Sequence, residues 1–280
     1  MKLATHSVNH PRPFLKWVGG KTQLLSQLLL AVAEAGPFRA YREPFLGGGA
    51  LFFALSQRLQ IKKAILSDIN MNLIDAYVGV RERISDVVHL LGEHKTKHCH
   101  EHYYSVRAHV PDDLAGRAAR IIYLNKTCFN GLYRENSRGA FNVPIGRYSN
   151  PNICDAANLF ACSAALQTAT IKCQTFEKTL FQAKRGDLVY FDPPYHPLSS
   201  TSSFTAYAKD AFPERKQFEL ANVFAALDEK GIKVILSNSD TPLIRQLFKR
   251  FRVQNVLATR CVNSRPDRRG RITELIIRNF

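Results

Sequence analysis

Asp187-Leu188-Val189-Tyr190-Phe191-Asp192-Pro193-Pro194-Tyr195 is the stretch whose reading decides the fold. Its first half is an apolar, β-prone run, and two consecutive prolines follow, each with a fixed φ and no backbone N–H. A strand therefore ends at Asp192 on a stiff turn. Working outward, AILSD (64–68), TIKCQTF (170–176), KVILSN (233–238), RVQNVLAT (252–259) and ITELIIRN (272–279) read as further strands. The segments 21–34, 49–59, 70–92 and 214–230 carry helix periodicity between them. This alternation predicts an α/β fold, a mostly parallel twisted sheet with helices on both faces. The last two strands flank a polar, arginine-rich loop without a helix, which predicts an antiparallel hairpin at one sheet edge.

The alternation stops between about Lys95 and Ala165, where no apolar strand run occurs. Helical patterns there surround a Gly/Asn/Arg-rich centre, NGLYRENSRGAFNVPIGRY (130–148). We read 1–94 and 166–280 as the main domain and 95–165 as an inserted, mainly helical subdomain bearing a β-hairpin.

With 280 residues and 45% hydrophobic content, the chain can bury about three-quarters of its unfolded surface. No run approaches the roughly 20 apolar residues that span a bilayer, and MKLATHSVNHPRPF lacks the apolar centre of a signal peptide. A cytoplasmic protein without a membrane partner is expected. Six scattered cysteines, with no CxxC pair, read as reduced core residues. His94, His98 and His102 would share one face of a helix, but a solvated helix end explains them better than a metal, and no metal is predicted.

The formal net charge of +16 exceeds what solubility needs and points to a polyanion. Between Leu114 and Tyr148, Arg117, Arg120, Lys126, Arg134, Arg138 and Arg147 stand against Glu135 alone, and Arg265, Arg268, Arg269 and Arg271 form a second cluster. Neither stretch has the apolar face of a membrane-surface helix, so a phosphate backbone is the better partner.

Ligands of open parallel sheets bind beyond the carboxyl ends of the strands, where strand order reverses. Glu43-Pro44-Phe45-Leu46-Gly47-Gly48-Gly49-Ala50 leads from a strand into a helix, and its glycines permit close backbone approach to a ligand. AILSD ends in Asp68, the position from which an acid receives ribose hydroxyls. Together these suggest a nucleoside-containing cofactor, although a plain tight connection also explains the glycines. In the Asp192-Pro193-Pro194-Tyr195 turn, the carboxylate and the Pro193 carbonyl can each accept an N–H of an exocyclic amino group, turning its lone pair toward an electrophilic methyl. Tyr195 can stack on the base. A rigid structural turn is the alternative.

Phe14-Leu15-Lys16-Trp17-Val18-Gly19-Gly20-Lys21, EPFLGGG, SDIN ending at Asn70, FNGLYR…RGAFNVPIGRY and DPPYHPLSSTSSFTAY follow one another in this chain. In that order they resemble the Dam family of DNA adenine-N6 methyltransferases, over nearly the whole length. The resemblance implies a Rossmann-like methyltransferase fold and S-adenosylmethionine as cofactor, with S-adenosylhomocysteine as product. It implies that Trp17, Lys21, Asp68 and Asp192 contact the cofactor, alongside Glu43, Pro44, Phe45, Gly47 and Gly49 of the Gly-rich turn, and that Asp192 also holds the target amino group. It implies a double-stranded DNA partner, hence association with the nucleoid, and no obligatory protein partner.

In the insert, Arg134 would bond a guanine edge, Leu132 and Pro144 would make apolar contacts to bases, and Asn130 and Tyr148 polar ones, with Arg138 on DNA as well. Phe129, where Dam proteins can carry tyrosine, would wedge beside an extruded adenine. Lys126 stands where the family can have arginine, keeping a phosphate contact without bidentate geometry. GATC is the implied site.

Three other amino-group substrates fit the turn: cytosine N4 in DNA, adenine in RNA, and a glutamine side chain. The basic insert argues against a protein, and its hairpin-like centre argues for duplex DNA, because an A-form major groove admits side chains poorly. A non-catalytic DNA-binding relative would be expected to carry a damaged turn; this one is intact.

Overall fold

All four side chains of Leu188–Phe191 are buried, as expected of a strand covered on both faces. The structure is a computed structural model that describes residues 10–17, 24–58, 61–198, 212–259 and 271–280. Among these, seven strands form one sheet in the order β3-β2-β1-β4-β5-β7-β6. They are β1 (Tyr41–Glu43), β2 (Ala64–Asp68), β3 (Ala169–Cys173), β4 (Leu188–Phe191), β5 (Lys233–Ser239), β6 (Arg252–Thr259) and β7 (Arg271–Arg278). β1 pairs in parallel with β2 and with β4, and β4 in parallel with β5. β7 runs antiparallel to both β5 and β6, so the α/β fold and the edge hairpin expected from the sequence are both present.

Two compact units can be distinguished by contact density. The first comprises 1–20, 47–60 and 70–171, and the second 21–46, 61–69 and 172–280. In the second unit one sheet face is apolar. Val189, Phe191, Val234, Leu236, Leu275 and Ile277 pack there with Leu220, Val223, Phe224 and Leu227 of the helix Glu214–Glu229. Beneath β1 and β4, buried Asp187 receives Arg42 Nε at 2.7 Å and Arg39 Nη2 at 2.7 Å.

In the first unit, Asn70 caps the helix Met71–Glu82 by accepting from Leu73 N at 3.1 Å, and Asp113 caps Leu114–Thr127 by accepting from Gly116 N at 2.8 Å. These two helices cross closely because Gly79 has no side chain: a Cβ there would lie 2.4 Å from that of Ala118.

The structure differs from expectation in local ways. The helical run 70–92 is two helices, Met71–Glu82 and Ile84–Lys97, broken where Arg83 leaves helical geometry at φ −130°, ψ 37°. β3 spans Ala169–Cys173 and so ends before the expected 176, although Gln174 N still donates to the Asp68 carbonyl at 3.0 Å. The hairpin around 130–148 is held by two isolated antiparallel bridges, Cys128↔Ile145 and Glu135↔Phe141, rather than a ladder. Cys128 and Cys162 are buried, but Cys99 and Cys173 are exposed, so those two are not core residues. No helix among the described residues is long and apolar enough to cross a membrane.

Candidate active site

Strand order reverses between β1 and β4, since β2 and β3 extend one way and β5 the other. Glu43 ends β1 and Asp192 directly follows β4, so two of the sequence-predicted site acids flank the switch point. Each is approached by a tyrosine two residues earlier on its own strand, where the pleat returns side chains to the same face. Tyr41 Oη donates to Glu43 Oε2 at 2.9 Å. Tyr190 Oη lies 2.9 Å from Ser237 Oγ, which donates to Asp192 Oδ1 at 2.8 Å. Burial pushes the Tyr41 phenol up, with Glu43 beside it adding to the shift, and burial followed by Asp192 does the same for Tyr190. Both phenols stay protonated through the neutral range and serve as standing donors.

The turn itself is pinned from three elements. Gln217 Nε2, on the helix Glu214–Glu229, donates to the Pro194 carbonyl at 3.1 Å, and Gln217 Oε1 accepts from Asn238 Nδ2 at 3.0 Å. Asn238 Oδ1, on β5, accepts from His196 N at 3.1 Å, and Ser239 Oγ donates to the His196 carbonyl at 2.5 Å. Tyr195 Oη donates to Glu274 Oε2 on β7 at 3.2 Å, and burial, then Asp192 and Glu274, raise its pKa. Gln217, Ser237 and Asn238 are buried polar residues within the molecule's interior. Satisfying them requires a fixed turn, because an unmet buried amide is costly.

The neighbouring expected residues take different positions. Pro44 is buried, and the Phe45 ring stacks on Phe176 at 5.3 Å and meets Phe212 edge-on at 5.6 Å, which makes it wall packing. Asp68 is half-buried at the end of β2.

Trp17, Gly47 and Gly49 belong to the first unit. Gly47 has φ +47° and Gly49 φ +63°, a left-handed pair that favours glycine. A Cβ on Gly47 would stand 3.0 Å from Trp17 Cδ1, so the glycine also makes room for the indole. Tyr77 Oη donates to the Gly47 carbonyl at 3.1 Å. On its other side Trp17 packs on Tyr133, ring centroids 5.0 Å apart. Tyr133 donates to Glu135 and accepts from Asn72 Nδ2 at 2.9 Å. Lys21 lies outside the described residues.

The expected DNA-reading residues cluster at the end of Leu114–Thr127 and along the following excursion. Phe129 and Tyr148 are exposed aromatics, Asn130, Arg138 and Pro144 are exposed, and Leu132 and Arg134 are half-buried. Asn130 adopts φ +54° in the short turn Phe129–Gly131. Arg134 Nε donates to Asn142 Oδ1 at 2.6 Å and Nη2 to the Asn142 carbonyl at 3.2 Å, so its guanidinium is held by Asn142. Lys16 Nζ sits over the Tyr148 ring at 4.7 Å. Lys126 is half-buried, and burial followed by nearby Lys16 lowers its pKa.

The three histidines are not a solvated helix end. His94 stacks on Tyr123 at 4.7 Å, shares a 3.0 Å hydrogen bond with His102, and His98 Nδ1 lies 2.8 Å from Tyr123 Oη. Burial, then His102, lowers the His94 pKa to about 4. Among the described residues no group of three or more His, Cys, Asp or Glu is placed to hold a metal ion.

Sequence reasoning missed Ser237, Gln217, Asn238, Glu274, Tyr133 and Asn142. Their only sequence signal is polarity inside apolar segments, as in KVILSNS, where Ser237 and Asn238 interrupt a strand run.

The family model for D12 class N6 adenine-specific DNA methyltransferases matches residues 17–262. The type II methyltransferase M1.LlaDCHI of Lactococcus lactis subsp. cremoris is 42% identical over 96% of this chain and 95% of its own length. The type II methyltransferase M.MjaIII of Methanocaldococcus jannaschii is 42% identical over 96% of this chain and 99% of its own. The DNA adenine methylase of Escherichia coli strain K12 is 35% identical over 95% of this chain and 94% of its own.

Proposed function

This chain belongs to the D12 class of N6 adenine-specific DNA methyltransferases, and from that premise we propose that it methylates adenine N6 in duplex GATC using S-adenosylmethionine. The observation that carries the reading is the Asp192 carboxylate, fixed at the switch point by Ser237 and followed by a turn whose second carbonyl is already held by Gln217.

The residues present suit the cofactor. Asp68, Glu43 and Asp192 end three adjacent strands, and carboxylates match ribose hydroxyls, an amino group and a sulfonium. Pro44 and Phe45 follow Glu43 in the same unit and are assigned to the cofactor with it. Trp17, Gly47, Gly49 and Lys21 are assigned to the cofactor from the motifs they stand in. S-adenosylmethionine supplies an electrophilic methyl on sulfur.

Asp192 and the Pro193 carbonyl accept the two N–H bonds of the target amino group and turn its lone pair toward that methyl. Held by these residues, S-adenosylmethionine would supply the methyl to that lone pair and S-adenosylhomocysteine would be the product, while the amino proton would pass to the Asp192 carboxylate that accepts it and then to solvent. Tyr195, tethered through its hydroxyl to Glu274, presents its ring to the extruded base. Positioning supplies most of the rate.

We assign DNA recognition to 95–165. Arg134 reads a guanine edge, Leu132, Pro144, Asn130 and Tyr148 contact neighbouring bases, Phe129 fills the space left by the adenine, and Lys126 and Arg138 contact the backbone. The half-exposed Phe129 ring, 49% accessible at a helix end, supports the wedge role. The test is incubation with S-adenosylmethionine and a GATC duplex, then digestion by nucleases that differ in sensitivity to adenine methylation. Protection at GATC is expected. Unchanged cutting with confirmed cofactor binding would overturn the site assignment.

A further inference from the structure

Hydrogen-bond arithmetic fixes the direction of the chain Tyr190–Ser237–Asp192. An ionised carboxylate only accepts, so Ser237 must spend its single proton on Asp192 Oδ1, at 2.8 Å. Its oxygen is then left to accept, and the hydroxyl 2.9 Å away is Tyr190 Oη, so the phenol donates. Tyr190 and Ser237 are both fully buried in the second unit, so water does not substitute for either partner. Tyr190 and Ser237 come from neighbouring parallel strands, β4 and β5, whose register places Tyr190 beside Ile235. Two residues further along β5, Ser237 returns to the same face. The relay is therefore built by sheet register and is not an accident of a surface rotamer.

We infer that Ser237 is a positioning residue for methyl transfer, orienting the Asp192 carboxylate and holding it ionised through a proton chain that begins at Tyr190. This rests on the assignment of Asp192 to the target amino group. A hydrogen bond to the charged form favours that form, and a chain of such bonds polarises each member. Carboxylates on two other strands of the sheet oppose that form. Glu43 on β1 and Glu274 on β7 are like charges near this face, and Tyr41 and Tyr195 are buried phenols that stay protonated. Against two nearby carboxylates, the serine donor favours the ionised, accepting form of Asp192. Protonated, Asp192 would present an O–H to the amino group and lose half of the acceptor pair.

The test measures single-turnover methyl transfer to duplex DNA against pH, with cofactor and DNA affinities measured separately. Ser237→Ala is expected to slow transfer by about tenfold or more, with the cofactor and DNA affinities each falling by a smaller factor than the rate. Its acid limb should move up by about one pH unit, a change that mere loosening of the fold does not produce. Ser237→Cys, a similar volume with a weaker donor, should fall between Ser237→Ala and the unmodified enzyme. A Ser237→Ala rate and acid limb matching the unmodified enzyme would overturn the inference. If Ser237→Ala does not fold, Tyr190→Phe carries the test: a smaller shift of the acid limb in the same direction supports the relay, and an unmoved limb overturns it. Asp192→Ala separates the two claims. An inactive, folded Asp192→Ala beside an unaffected Ser237→Ala overturns only the relay, whereas an active Asp192→Ala overturns the assignment of Asp192 and the relay with it.

Discussion

The Pro194 carbonyl accepts a hydrogen bond of 3.1 Å from Gln217 Nε2. Under the proposed function, a turn held from behind in this way offers Asp192 and the Pro193 carbonyl as its acceptor pair. Gln217 also takes the Asn238 amide, which in turn accepts the His196 N–H, so one side chain ties the helix, β5 and the turn together. Gln217→Leu leaves the Pro194 carbonyl and the Asn238 amide unmet, at a cost of about 1–3 kcal/mol each. A lower melting temperature together with a kcat loss of about tenfold is expected, while DNA affinity holds. Thermal unfolding and steady-state kinetics check it, and an unchanged kcat would show that the turn does not need the latch.

Beneath the same strands, Asp187 is fully enclosed and joined to Arg42, itself only 7% exposed. Removing one partner of a buried pair leaves the other charged and unmet, so Asp187→Ala should cost about 3–5 kcal/mol. Chemical denaturation would show this as a lower midpoint. Activity per folded molecule should persist at low temperature, because neither residue is assigned to the chemistry.

Specificity and affinity should separate by residue. Arg134→Ala removes a guanidinium held by Asn142 and should weaken discrimination at one guanine by about 1–3 kcal/mol. Exposed Arg138, assigned to the backbone, should behave otherwise: Arg138→Ala should weaken binding to all duplexes alike and reduce the salt slope by about one. Competition binding with duplexes altered at single positions distinguishes these, and a uniform loss for Arg134→Ala would remove it from base reading.

Acid should destabilise the first unit. The folded His94 pKa is depressed to about 4, chiefly by burial, and His102 and His98 shift the same way. Between about pH 6.5 and 4 the unfolded state therefore binds more protons, and stability falls as pH falls through that window. After allowance for solvent screening, His94 accounts for about 1–2 kcal/mol. Denaturant midpoints across the window should flatten in His94→Gln, and an unaltered slope would assign the effect to other groups.

Much of this was legible in the sequence, for physical reasons that differ by element. LVYF before two prolines can only be a buried strand with a stiff end, and the positions of Glu43 and Asp192 at strand ends follow from the pattern alone. The break at Arg83 was not legible, since apolar residues continue across it and only backbone geometry marks it. The histidine spacing suggested one helix face, but the face is assembled from two helices around Tyr123, which spacing cannot show. Ser237, Gln217 and Glu274 reach the turn from elements 20 or more residues away in sequence, as with the separations of 45, 23 and 79 positions in their bonds to it. Tertiary pairing of that kind leaves no local signal.

The most direct test of the central claim is to incubate the protein with methyl-labelled S-adenosylmethionine and a duplex containing one GATC, digest to nucleosides, and identify the labelled product. Label in N6-methyladenine from the GATC adenine, abolished by Asp192→Ala in a folded protein, is the result expected. Label in N4-methylcytosine, or N6-methyladenine formed equally in a duplex lacking GATC, would contradict it.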